Sequence, residues 1–141
     1  MKKKTITICG KKVKMLYCTA TETGFENLAD KKISVFYPQP VTDENGNPML
    51  DENGKQVWNE PAAGLDDFVK LAIAAIIAAY SVDDKEPPVT GKQIMYKAPM
   101  QEVQNMITAV DELRREWYHV PAVMKSDSKK DDKEEEDATK N

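Results

Sequence analysis

Residues 5–9 alternate Thr-Ile-Thr-Ile-Cys, the period of two expected of a half-buried strand. Gly10-Lys11 follows as a tight turn, and Lys12-Val13-Lys14-Met15-Leu16-Tyr17 reads as the return strand of an N-terminal β-hairpin. Thr19-Ala20-Thr21-Glu22 has the form of a capping box, and Phe25, Leu28 and Ala29 then fall at helical spacing. A short helix over about 20–30 is expected, weakened by Gly24 by about 1 kcal/mol relative to alanine. Lys32-Ile33-Ser34-Val35-Phe36-Tyr37 reads as a third strand.

The pattern then breaks at Pro38-Gln39-Pro40. Asp-Glu-Asn-Gly occurs at 43–46 and again at 51–54, and Asn-Gly is a strong turn signal because both residues tolerate positive φ. Residues 38–63 therefore read as an extended loop or β-excursion, with Val57-Trp58 as the pair able to pack it on the body. After it, Leu65, Phe68, Val69, Ala72, Ile73, Ile76, Ile77 and Tyr80 form a wide apolar stripe, with Asp66 as the expected N-cap. A helix this apolar belongs at the centre of its domain.

Pro87-Pro88 ends that helix, and Thr90-Gly91-Lys92-Gln93 opens a short one to about Tyr96. Pro99 suits the first turn of a longer helix. Met100, Val103, Ile107, Val110, Arg114 and Trp117 form its stripe, with Met106 and Leu113 beside it, and Pro121 stops it near Tyr118-His119. Residues 125–141 carry Ala138 as their one apolar residue, so they form a charged tail expected to stay disordered. The fold class predicted is α+β: a hairpin and third strand on a bundle of three to four helices. Residues 1–124 are read as one domain and 125–141 as the tail.

Composition narrows the function. The chain has 141 residues, 40% of them hydrophobic, and a formal net charge of −4. That length buries a core without disulfides or metals, and the acidic balance argues against a nucleic-acid partner. The apolar run Leu71–Tyr80 spans ten residues, half of what a membrane crossing needs. The basic start Met1-Lys2-Lys3-Lys4 leads straight into a strand rather than an apolar signal core. Cys9 and Cys18 flank the hairpin turn and could approach across its two strands, so a disulfide is possible, but with no secretory signal they are expected to be reduced thiols in a cytoplasmic protein.

Catalytic and metal chemistry find little support in the motifs. His119 is the one histidine, placed at a helix C-terminus where it complements the helix dipole. A structural zinc site needs four Cys/His ligands, and the chain holds three such residues. The Asp-Glu-Asn-Gly repeats put glycine fourth rather than sixth, which fits turns better than a calcium loop. No phosphate-cradling glycine motif or nucleophile elbow occurs. No cofactor is expected, and no enzyme activity, though a site dispersed around His119, Cys18 and nearby carboxylates remains a third reading.

Partner binding is left as the leading class. Met95, Met100 and Met106 cluster in sequence, and flexible thioethers suit surfaces that accept varied apolar partners. Trp117 and Tyr118 add side-chain types that dominate binding hot spots. The competing reading is that these residues pack against the Leu71–Tyr80 helix.

The element order and local sequence resemble the tail assembly chaperones of long-tailed bacteriophages and prophages. The resemblance runs over about 5–121. It rests on the Ile-Thr-Ile-Cys-Gly-Lys-Lys hairpin, Tyr17-Cys18-Thr19-Ala20-Thr21 before a short helix with Gly24-Phe25-Glu26, the alanine-rich helix Asp66–Tyr80, Pro88-Val89-Thr90, and Glu116-Trp117-Tyr118-His119-Val120-Pro121. It implies a non-enzymatic protein that binds the tape measure protein, shields its apolar helices and recruits tail tube subunits. It also implies that a longer, frameshifted form begins where the charged tail lies. The other reading carried forward is a structural virion component, a tail or head completion protein with the excursion as an assembly arm.

Overall fold

The computed structural model describes residues 2–119, so the charged tail lies outside the described residues. Strands β1 (Lys3–Ile8) and β2 (Lys11–Leu16) pair antiparallel, with Lys3 opposite Leu16 and Ile8 opposite Lys11. Cys9 and Gly10 turn the corner, both at positive φ. Helix α1 (Thr19–Ala29) follows. Its N-cap is Cys18, not Thr19: the Thr21 hydroxyl accepts the Cys18 N–H at 3.1 Å and donates to the Leu16 carbonyl at 2.7 Å. That pairing lets a fully buried threonine sit inside the core with its polar atom satisfied.

The third strand expected over 32–37 is a 3₁₀ turn, Ile33–Phe36. Among the described residues no strand pairs with it to complete a ladder. Its amides close on themselves instead, Val35 N–H to Lys32 C=O and Tyr37 N–H to Ser34 C=O. The turn drives Phe36 between Phe25 and Phe68, edge-on to both at 4.9 and 5.0 Å. Burying one aromatic this way outweighs the strand preference of a short Ile-Ser-Val-Phe run.

Residues 38–63 do form a β-excursion. Strands β3 (Gln39–Pro40) and β4 (Trp58–Asn59) pair antiparallel at its base. Beyond them, three segments close a ring of backbone hydrogen bonds. Val41 N–H donates to Val57, Val57 N–H to Met49, and Met49 N–H to Val41, each at 2.9 Å. The two Asp-Glu-Asn-Gly turns link the segments. In each, the aspartate Oδ1 accepts two backbone N–H groups, from Asn45 and Asn47 on Asp43 and from Asn53 and Lys55 on Asp51. Gly46 and Gly54 take the positive φ that each turn requires. The repeat extends past the turns: Val41, Met49 and Val57 are eight residues apart, as are Thr42, Leu50 and Trp58. We call this unit the arm.

Helix α2 (Leu65–Ser81) is the centre of the domain, with Leu71, Ala72, Ala75 and Ile76 sealed among α1, the hairpin and the last helix. Its cap differs from the expected one. Gly64 is the N-cap and Asp67, not Asp66, reaches back to accept the Gly64 N–H at 3.0 Å. Two members of the apolar stripe stay outside: Leu65 and Ile77 are exposed. Helix α3 (Gly91–Lys97) is capped by Thr90 and Gln93 reciprocally, as its sequence predicts. Helix α4 (Met100–Trp117) runs back along β1, with Cys9 N–H on Glu102, Lys4 on Glu112 and Lys2 on Glu116 marking the register. The fold is thus α+β, and the described residues form two small antiparallel strand pairs and four α-helices. Among the described residues no helix is long and apolar enough to cross a membrane.

Candidate functional site

The five residues expected to contact partners do not form one patch; α4 separates them. Met95 and Met100 flank the corner where α3 ends and α4 begins. Ile94 points into the core, which turns Met95 and Tyr96 outward on a short helix. Ala98-Pro99 then breaks the chain, and Met100 starts α4 on the outside. Tyr96, at 82% exposed, is the most open large hydrophobic side chain of the described residues. Its exposure follows from the same helical spacing that buries Ile94.

Met106 is a correction. It is fully buried, packed in the core with Val110 and Leu113, so it offers nothing to a partner. The seam of α4 runs through Val103, Met106, Val110 and Leu113, one residue round from the stripe read in the sequence, and this leaves Met100 outside.

Trp117 and Tyr118 occupy the far end of α4. Trp117 tilts against Tyr17 at 6.3 Å between ring centres, and the two line a shallow cavity of ≈180 Å³ with Lys2, Leu113 and Glu116. The Tyr118 ring meets Tyr37 edge-on at 5.8 Å, and its hydroxyl donates to Glu22. Tyr17 donates to the same carboxylate at 2.8 Å. Burial, and then these bonds to Glu22, push both phenols well above their ordinary range, so they act as donors and not as bases. Arg114, buried at 8% exposure, lies 5.1 Å from the Tyr37 ring centre and 5.9 Å from that of Phe36. Burial alone would raise the pKa of Asp111, but hydrogen bonds from Arg114 and Arg115 outweigh it and hold the carboxyl low. The Tyr37 hydroxyl and Arg114 Nε are buried and have no hydrogen-bond partner among the described residues. This end of α4 therefore works as a clasp that holds α1, the 3₁₀ turn and α4 together.

The reactive residue types are scattered. Cys9 sits at the hairpin turn and Cys18 beyond the opposite end of β2, a strand's length away, and both are free thiols. His119 is exposed at positive φ, with its backbone N–H on Glu116. Among the described residues, no hydrogen bond joins its imidazole to a cysteine or a carboxylate, and no three Cys, His or carboxylate side chains gather as a metal site would need.

Sequence reasoning missed the arm's apolar surface. Met49, Leu50 and Trp58 are 45%, 60% and 57% exposed, although Trp58 was expected to pack on the body. The eight-residue repeat was the available signal, because residues one period apart occupy equivalent places in the ring.

Comparison of the chain with protein-family models, curated proteins and solved structures finds no match.

Proposed function

We propose that this protein is a non-enzymatic binding protein, a bacteriophage tail assembly chaperone. In the bacterial cytoplasm it would hold apolar helices of the tape measure protein and recruit tail tube subunits. The observation that carries the reading is the α3–α4 corner. Met95, Tyr96 and Met100 stand exposed there beside a sealed core, two of them flexible thioethers able to repack against varied helices. The resemblance in element order supplies the partner's identity.

Co-expression with the tape measure protein of the same phage tests this. The two should co-purify, and the chaperone should raise the solubility of its partner. Met95→Ser with Met100→Ser should cut recovery of the partner about tenfold, as loss of central apolar contacts does elsewhere. Failure to co-purify together with unchanged tape measure solubility would sink the proposal.

The projecting arm favours a second reading, a structural component of the tail or head. Mass spectrometry of purified particles separates the two, since a chaperone leaves the particle and a component stays in it.

A further inference from the structure

One end of this acidic chain is basic. The hairpin turn carries Lys11 and Lys12, the α3–α4 corner carries Lys92 and Lys97, and all four are exposed. Lys11 Nζ donates to the Pro88 carbonyl at 3.3 Å, and the Cys9 Sγ lies 3.9 Å from the Gln93 carbonyl oxygen, so turn and corner form one surface. No carboxylate occurs over residues 9–21 or 87–101. The acids facing this end are Glu86, exposed, and Glu102, which accepts the Cys9 N–H. None of the four lysines has an ion-pair partner among the described residues. Met95, Tyr96 and Met100 stand exposed beside them.

The opposite charge lies in the same chain, past the described residues. Residues 131–137 read Asp-Asp-Lys-Glu-Glu-Glu-Asp, six acids against one lysine. Residues 120–130 join this run to the end of α4 and carry Lys125, Lys129 and Lys130 against Asp127. The negative charge is thus concentrated in the part farther along the chain. The 18 residues of α4 set its C-terminal end about 27 Å from the corner, at 1.5 Å per residue. A connector the length of 120–130 reaches at most about 36–40 Å when fully extended. A random coil of that length averages about 17–20 Å end to end. The span falls between the two, so the acidic run can reach the corner. A tether matched to its span in this way gives an effective concentration of about 1 mM.

We propose that the acidic run 131–137 folds back on the basic end of its own chain and covers the α3–α4 corner. Exposed ion pairs are individually weak, so the tether makes the contact. An untethered run binding with a Kd of about 1 mM, held at an effective concentration of about 1 mM, covers the corner about half the time. A partner that needs the corner then binds about twofold more weakly than it would without the run. The cover is held by charge and not by apolar contact, so salt opens it. The effect on a partner rests on the chaperone reading, whereas the contact itself is tested on the purified chain alone.

Zero-length carbodiimide cross-linking of the full chain, mapped by mass spectrometry, is the experiment. It is run at about 1 µM, far below the effective concentration within one chain. Within the monomer, carboxylates of 131–137 should link to Lys11, Lys12, Lys92 and Lys97 at least about fivefold more often than to Lys32 and Lys55. Those two lysines are also exposed and without an ion-pair partner among the described residues, but they lie elsewhere, one after α1 and one on the arm. Raising the salt from about 0.1 to about 1 M should abolish the preference, as the Debye length shrinks from about 10 to about 3 Å. A neutral-tail variant carries Asp131→Asn, Asp132→Asn, Glu134→Gln, Glu135→Gln, Glu136→Gln and Asp137→Asn. Its amide NMR signals should move over residues 91–100 and stay in place over 71–76 in the core. Links spread evenly over Lys32 and Lys55, corner signals unmoved in the variant, or links that form between chains rather than within one would overturn the proposal. So would a single-stranded oligonucleotide that the native chain and the neutral-tail variant bind equally well, since the corner would then be open in both.

Discussion

Asp67 does two jobs at the start of α2. It accepts the Gly64 N–H and pairs with Lys31 at 3.0 Å, while its own side chain is nearly sealed from water. Burial would raise its pKa, but the Gly64 amide and the Lys31 ammonium outweigh that and hold it low. Asp111, held low by Arg114 and Arg115, behaves the same way. A carboxyl lowered in the folded state adds stability that is fully present above its unfolded pKa of about 3.9 and fades as pH falls through the folded value. Thermal melts should thus be level near neutrality and fall below about pH 4. Asp67→Ala should cost about 1–2 kcal/mol at pH 7 by removing the cap, and should flatten that acid decline. Met106 tests packing at the same scale. Its replacement by alanine leaves a hole beside Val110 and Leu113 and should cost about 3 kcal/mol in denaturant unfolding, whereas Met100→Ala, on the surface, should change stability by less than about 0.5 kcal/mol.

Among the elements, α1 and α2 approach each other closely at Gly24. A Cβ built there would stand 3.3 Å from the Ala74 Cβ, so this glycine is kept by helix approach despite its poor helix propensity. Gly24→Val should therefore destabilise by about 1–3 kcal/mol, far more than a β-branched residue costs in an open helix, and chevron or equilibrium unfolding would read it. The arm is the opposite case. Its ring of hydrogen bonds is internal, and its base joins the body where Ala63 N–H donates to the Val35 carbonyl. Replacing residues 41–57 by Asn-Gly would connect Pro40 and Trp58, already paired, through a two-residue turn. The shortened chain should fold with its melting temperature within about 3 °C of the native value, a shift worth under about 1 kcal/mol. A larger loss would mean that the arm supports the core.

For the whole molecule, the division of labour runs along α4. Its middle is core, its C-terminal end is the aromatic and ionic clasp around Glu22 and Arg114, and its N-terminal end is the apolar corner. Clasp and corner should respond differently to mutation. Tyr118→Phe removes one donor from Glu22 and should lower stability by about 1 kcal/mol without touching partner binding. Substitutions at Met95 and Tyr96 should do the reverse, and comparing melts with co-purification separates the two effects.

The sequence alone determined the hairpin, the four α-helices and the two turns of the excursion. Each is set by local physics: alternation in 5–9, the capping residues at Thr90 and Gln93, prolines at 87, 88 and 99, and Asn-Gly where φ must be positive. Tertiary structure decided what periodicity leaves open. Ile33–Phe36 became a 3₁₀ turn because Phe36 had two aromatic rings to fill between and no strand to pair with. Met106 went inside and Met100 outside because a helix's apolar arc is wide, and the neighbouring helix and hairpin choose which part of it they cover. The same choice fixed the candidate site, since an exposed methionine and a buried one look alike until something is packed against one of them.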